Sequence, residues 1–351
     1  KLEWIILDGK YNYNKKDKQI NQKIDKFKNR VVMAPMCMFH SKTVDGVLTK
    51  EHFDHYVARA LGGVAGIIIE ATMVNSTGGI RKVDLGLYNE IQMKAFKELV
   101  DRVHNYDCKI GIQLSHAGRK ADASYDDIVA PSAIPFADEK APRELTKEEI
   151  ISLQDDFINS VKLAKQAGFD FVEIHCAHGY LINQFLSPLS NQRNDEYGGS
   201  LEKRYKFLGD ILKAIKNIDI DVHIRVSANE YDEKGNSLED IISILKLAKK
   251  DGVVFNSISS GGVVPKSPLV YPGYQAELSR EIKKAGLVVS AVGLLEDFGL
   301  CEYLLQSNAC DMIYQGRTLL KNPNWVYGAG AYFDEGKEIE YPLFSYSAIK
   351  F

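Results

Sequence analysis

FDFVEIHCAHGYLINQFLSPLSNQRNDEYGGS, residues 169–200, is the stretch on which the reading of the fold turns. Its opening, FDFVEIH (169–175), is apolar at most positions, as a strand buried on both faces should be. His175, His178 and Tyr180 stand where that strand runs out into a loop. Donors at such a junction can grip a polar oxygen and deliver a proton. HxxH can also hold zinc, but no third His, Cys or carboxylate stands at helical spacing, so the sequence points to no metal.

Working outward, the same kind of segment recurs along the chain. The strand candidates are VVMAPM (31–36), VAGIIIE (64–70), KIGIQL (109–114), FDFVEIH (169–175), VHIRVSA (222–228), VVFNSIS (253–259), LVVSAVG (287–293) and CDMIYQG (310–316). Between them lie amphipathic patterns such as EHFDHYVARALG, QMKAFKELVDRVH and SLEDIISILKLAKKDG, several closing on the glycine that stops a helix. This βα alternation predicts a (β/α)₈ TIM barrel. A doubly wound sheet is the competing architecture, but it prefers a GxGxxG turn after the first strand, and VVMAPMCMFH stands there instead. One domain over 1–351 is expected, with 1–28 a lysine-rich lead-in and 321–351 a C-terminal extension. PFADEKAPRELTKEE (135–149) reads as a long surface loop.

Composition narrows the partners. A net charge of −3 over 351 residues gives no reason to expect nucleic acid or an anionic membrane. The five cysteines are scattered without a CxxC pair, which argues against a zinc site, an iron–sulfur cluster or a disulfide framework and suits a reducing cytosol. Apolar runs such as 64–69 are too short to span a bilayer, and the lysine-rich start lacks the apolar core of a signal peptide. A cytoplasmic protein is expected.

A barrel demands that functional groups gather at the C-terminal ends of its strands. Strand one ends in Ala34-Pro35-Met36-Cys37, where proline removes a ladder donor as the chain leaves the sheet. Cys37 there is either a small buried hydrophobe or a thiol touching a ligand. Gln113 is an amide in an otherwise apolar third strand and can bond both edges of a heterocycle. Arg225, a permanent cation in strand five, needs an anion or a multiply accepting ligand, unless Glu173 on the neighbouring strand pairs with it. Strands six, seven and eight run into Ser259-Ser260-Gly261-Gly262, Gly293 and Gly316-Arg317, the arrangement of the common phosphate site of these barrels. Together these groups fit a flat phosphorylated cofactor presenting one face to a small oxygen-bearing substrate.

The chain resembles old yellow enzyme, the FMN-dependent ene-reductases, and within them the shorter, thermophilic-like bacterial branch. The likeness runs from about Val31 to Leu320. It rests on APMCM (34–38), IGIQLSHAGRKA (110–121), HCAHGYLINQFLSPLSNQRNDEYGGSLEKRY (175–205), IRVSA (224–228), SSGG (259–262), YPGYQ (271–275) and GRTLL (316–320). The resemblance implies non-covalent FMN, reduced by NAD(P)H, passing hydride from flavin N5 to the β-carbon of α,β-unsaturated carbonyl compounds or related activated alkenes. It implies flavin-ring and ribityl contacts at Ala34, Pro35, Met36, Ala71, Gln113 and Arg225, with Cys37 beside the ring. Phosphate contacts are implied at Ser260, Gly261, Gly262, Gly293, Gly316 and Arg317. His175 and His178 resemble the pair that holds the substrate carbonyl, and Tyr180 the proton donor.

The chain also departs from that pattern. Phe39 occupies a substrate-contacting position where the branch usually carries tyrosine. The C-terminus, LFSYSAIKF, lacks the arginine that many members insert into a partner subunit's site, so a homo-oligomer would lack that contact. Two other enzyme roles of flavin barrels are disfavoured. A dienoyl-CoA or amine-oxidising relative carries an iron–sulfur cysteine cluster and further domains, and a tRNA-directed one a basic face. An inactive flavin scaffold would not need both histidines and the tyrosine.

Overall fold

Strand β1 (Val31–Met33) hydrogen-bonds to β2 (Gly66–Met73) on one side and to the last strand on the other, so the sheet has no edge. In order around the ring, β1 and β2 are followed by β3 (Lys109–Ser115), β4 (Phe171–Cys176), β5 (Asp221–Ser227), β6 (Val253–Ser259), β7 (Val289–Ala291) and β8 (Met312–Gln315), all parallel. A closed ring is the expected (β/α)₈ barrel, and it excludes the doubly wound sheet. The computed structural model describes Ile6 and residues 26–41 and 43–333. The lead-in before Lys26, Ile6 apart, and the C-terminal LFSYSAIKF lie outside the described residues.

The helices that return the chain begin and end where local chemistry dictates. They are α1 (Lys50–Leu61), α2 (Glu90–His104), α3 (Lys147–Ala167), α4 (Leu181–Leu186), α5 (Leu201–Ile215), α6 (Leu238–Lys250), α7 (Ala276–Lys284), α8 (Phe298–Gln306), α9 (Arg317–Lys321) and α10 (Trp325–Phe333). Thr146 and Glu149 form a reciprocal capping box at the start of α3, and Gly168 closes it with φ +89°, a conformation glycine adopts without penalty. The stretch read as surface loop is more ordered than expected. Arg143–Glu144 pairs with Val129–Ala130, and α3 begins at Lys147. The Arg193 Nη1 donates to the carbonyls of Pro131 and Leu145 (2.9 and 2.7 Å), tying that segment to the loop after β4. Of the C-terminal extension, α10 packs on α8 through the rings of Trp325 and Phe298, 4.7 Å apart.

Two apolar layers hold the barrel. The outer one lies between strands and helices and includes Ile67, Ile69, Phe96, Ile112, Phe157, Ile174 and Phe207, all fully buried. The inner one fills the lower lumen with Val32, Ile68, Phe171, Phe255, Met312 and Tyr314. Gly111 makes room for it, since a Cβ there would lie 2.1 Å from the Phe171 ring. Alternation along the strands then decides the upper lumen. Glu173 and His175 share a strand face with Phe171, and Ser257 and Ser259 share one with Phe255. The lumen therefore turns from aromatic floor to polar mouth, always at the strands' C-terminal ends.

Candidate active site

The register sets His175 beside Arg225 and Arg225 beside Ser257, with Gln113 beside Glu173 one step below. Glu173 is fully buried; it accepts from Gln113 Nε2 at 2.7 Å and from the Ser257 hydroxyl. Burial raises its pKa, opposed by the Arg225 guanidinium, Ser257 and Gln113. Arg225 is 8 % exposed and makes neither a hydrogen bond nor an ion pair with any described residue, its Nε being buried without a partner. The ion pair with Glu173 expected as the alternative does not form at contact range, and Arg225 affects Glu173 only from a distance. An unpaired buried cation costs several kcal/mol, so the site as built calls for an anionic or multiply accepting ligand.

Above this layer the two histidines and the tyrosine converge. The ring of His175 stands edge-on to those of His178 and Tyr180, with centroids 5.2 and 5.0 Å apart. His175 Nδ1 accepts the Ala177 N–H at 3.2 Å. Burial, then Arg225 and Lys120, hold His175 well below the ordinary histidine range, so the ring is neutral. A neutral ring whose Nδ1 accepts must carry its proton on Nε2, leaving that N–H as a donor. His178 is likewise held neutral by burial, Arg225 and His175. Its backbone sits at φ +59°, held by its N–H donating to Ser227 Oγ at 2.9 Å, and its Nε2 lies 2.7 Å from Ser259 Oγ. Burial pushes the Tyr180 phenol well above its ordinary value, so it keeps its proton at neutral pH.

The remaining expected residues fall on the two flanks of the mouth. On one, the Ala34 N–H donates to the Gln315 carbonyl at 2.9 Å. The Met36 side chain lies against Gly316, where a Cβ would come within 3.1 Å of its sulfur. Pro35 and Cys37 follow, both half-buried, and burial with Asp84 and Glu70 nearby keeps Cys37 a neutral thiol. Ala71 occupies the register shift in β2, the kind of bulge that re-aims strand ends at functional sites. Glu70 beside it accepts from the Met38 N–H and the Tyr56 hydroxyl at 2.9 and 2.7 Å, pinning the Cys37 segment to the barrel wall. Phe39 stands at the rim with φ +52°, its ring 5.1 Å from the Arg81 guanidinium, without a ring contact to the histidines.

On the other flank, YPGYQ folds over the ends of β6 and β7. Gly273 N–H donates to Gly293 O at 2.8 Å, and Gly293, at φ +121°, leaves a Cβ only 2.8 Å from the Tyr274 ring. Ser260 donates to Gln275 Oε1 at 2.8 Å, and Gly261 gives its N–H to Asn229 O. Gly262 abuts the backbone of His178, and Gly316 leads into the exposed Arg317. The strand ends thus gather all the expected residues around one mouth.

Lys120, in the HAGRKA part of the motif, joins the site without having been expected there. Its Nζ donates to the carbonyls of His178 and Gly262 at 2.9 and 3.2 Å and lies 5.2 Å from the Tyr180 ring centroid. Burial pulls it down to about 8. A basic pair immediately after a buried strand was the available signal. Among the described residues no three His, Cys, Asp or Glu gather as a metal ion would need, and no helix is long and apolar enough to cross a membrane.

Residues 19–331 match the model of the NADH:flavin oxidoreductase / NADH oxidase family. The chain is 48% identical over 318 residues to an NADPH dehydrogenase of Listeria monocytogenes serotype 4a, covering 90% of this chain and 93% of that one. It is 45% identical to an NADPH dehydrogenase of Geobacillus sp. strain WCH70, over 86% and 89% of the two chains. Among solved structures, morphinone reductase superposes with a TM-score of 0.73 at 25% identity, over 87% and 86%. A 2-naphthoyl-CoA reductase superposes at 0.81 and 26%, but only 49% of that chain is matched. The donor set fits FMN. A buried guanidinium bonded to none of the described residues, a lumen amide and glycines with no room for a side chain at the mouth's edge suit a polyanionic, heterocyclic ligand.

Proposed function

The chain belongs to the NADH:flavin oxidoreductase / NADH oxidase family, the old yellow enzymes, and on that footing we propose that it reduces activated alkenes, enones above all, with NADPH as the electron source. It is an FMN-dependent NAD(P)H oxidoreductase with a (β/α)₈ barrel. FMN, when bound, supplies the two-electron chemistry. Arg225 and Gln113 would hold its ring, with Ala34, Pro35, Met36, Cys37 and Ala71 along one edge. Ser260, Gly261, Gly262, Gly293, Gly316 and Arg317 would receive its phosphate end.

The observation that carries the proposal is the convergence of neutral donors above a buried guanidinium that bonds to none of the described residues. His175 Nε2–H and an N–H of His178 would bind a carbonyl oxygen and stabilise charge developing on it, in a site where burial strengthens the bonds. Tyr180 holds a proton that it can give to the α-carbon. The named relatives, both NADPH dehydrogenases, support NADPH over NADH. The acceptor is a small molecule; nothing in the charge balance favours nucleic acid or a membrane.

The test is direct. The FMN-loaded protein should bleach under NADPH without oxygen and recolour on adding cyclohexenone with formation of cyclohexanone. Recolouring by oxygen alone, with enones, maleimides and nitroalkenes all inert, would reduce the protein to an NADPH oxidase and end the proposal.

Lys120 adds a pH dependence with a defined sign. It is a base lowered from 10.5 to about 8, so its charge is present below about pH 8 and lost above it. A solvent-screened cation near a forming oxyanion is worth about 1 kcal/mol, or about fivefold in rate. Turnover of cyclohexenone is therefore expected to fall about threefold from pH 7 to pH 9, with its midpoint near 8. The profile of Lys120→Met should lack that step when measured in the same buffers.

A further inference from the structure

The carbonyl-clamp reading requires an N–H on each histidine, and a neutral imidazole carries only one. For His175 the backbone settles which nitrogen has it. For His178 no backbone group touches either ring nitrogen, and the partner of Nε2 is a hydroxyl, Ser259 Oγ, at 2.7 Å. His178 Nδ1 bonds to none of the described residues and is not sealed off from solvent. If Nε2 bore the proton, the clamp would present a lone pair to the substrate oxygen and repel it.

The surroundings of Ser259 decide the matter. Its other possible acceptor is Gln275 Oε1, at 3.3 Å against 2.7 Å for His178 Nε2, on an oxygen that Ser260 Oγ reaches at 2.8 Å. Ser260 is itself bonded by the Tyr231 hydroxyl at 2.9 Å, and Gln275 is oriented by its Nε2 donating to Val292 O at 3.2 Å. The Ser259 hydroxyl has a single proton, and His178 Nε2 is the nearer of its two possible acceptors. We propose that Ser259 fixes the tautomer of His178, donating to Nε2 so that Nδ1–H faces the mouth as the clamp's second donor. Ser259 is a positioning residue: it acts through the imidazole and need not touch the substrate. The proton on one histidine is thereby set from the strand end two places further round the barrel, through the cluster formed by Gln275 and Tyr231.

This rests on the ene-reductase reading for its catalytic meaning, but its test separates the two. In the FMN-loaded wild type with ¹⁵N-labelled histidine, the ring resonances of His178, assigned by their loss in His178→Gln, should report protonated Nδ1 and bare Nε2. In Ser259→Ala the proton should move toward Nε2. Affinity for a phenol and KM for cyclohexenone should then worsen about tenfold, since the productive tautomer is only a fraction of the population. Flavin reduction by NADPH should stay within about twofold, and Ser259→Thr, which keeps the hydroxyl, should restore binding. A wild-type His178 protonated on Nε2 overturns the proposal whatever the fate of the variants, as does Ser259→Ala with unchanged phenol affinity. Loss of enone turnover in the wild type with the Nδ1–H tautomer in place would instead count against the substrate class alone.

Discussion

Changing His175 and His178 together to alanine is expected to slow cyclohexenone reduction by about 10³-fold, with a much smaller loss in flavin reduction by NADPH. Removing one preorganised donor to a developing oxyanion costs about 10²–10³ in rate. Two donors to one oxygen act as a unit, so the double change should not multiply the single losses. Both rings are neutral and held by the fold rather than by a ligand: His175 by the Ala177 N–H, His178 through Ser227 and Ser259. The donors are thus in place before substrate arrives, which is what makes their loss expensive. Single-turnover reoxidation of the reduced variant by cyclohexenone reads the effect. Undiminished reoxidation would show that these imidazoles do not hold the carbonyl.

The second large effect is expected at Arg225, with opposite signs for the apoprotein and the holoenzyme. Arg225→Met should weaken FMN binding by at least about 10²-fold while leaving the apoprotein as stable as the wild type, or more so. The guanidinium is buried without a hydrogen bond or ion pair among the described residues. Exchanging a buried charge for an apolar side chain of similar volume is often neutral or stabilising by about 1–4 kcal/mol. Glu173 loses a favourable neighbour in the exchange. It keeps its bonds to Gln113 and Ser257, however, and can take up a proton, because burial already raises its pKa. Flavin fluorescence titration gives the first quantity and calorimetry of the apoproteins the second. An Arg225→Met apoprotein melting well below the wild type would mean that the cation is part of the scaffold, not a site awaiting its ligand.

The barrel was legible because its signal is local. Segments such as VAGIIIE and FDFVEIH are apolar at most positions rather than at alternate ones, as burial on both faces of a strand requires. The surface loop before α3 is where expected, but its ordering was not legible, because the pairing of Arg143–Glu144 with Val129–Ala130 and the Arg193 bond to Leu145 O join residues distant in the chain. Site residues at strand ends could be found from the barrel alone, as Arg225, Gln113 and His175 were. The tie of Lys120 and Ser259 to His178 could not, since those contacts span 58 and 81 residues of sequence. The choice between an ion pair and a free Arg225 also stayed open, because composition cannot tell whether Glu173 is spent on Gln113 and Ser257.

Periodicity and residue type, acting over a few positions at a time, determined the strands, their closure into a ring and the end of that ring where chemistry is placed. Which proton sits on which nitrogen, which cation is left without a partner and which lysine backs the histidines were decided only by tertiary structure. Hydrogen bonds and charges act over a few ångströms, and the chain brings those atoms within that range only after the barrel has closed.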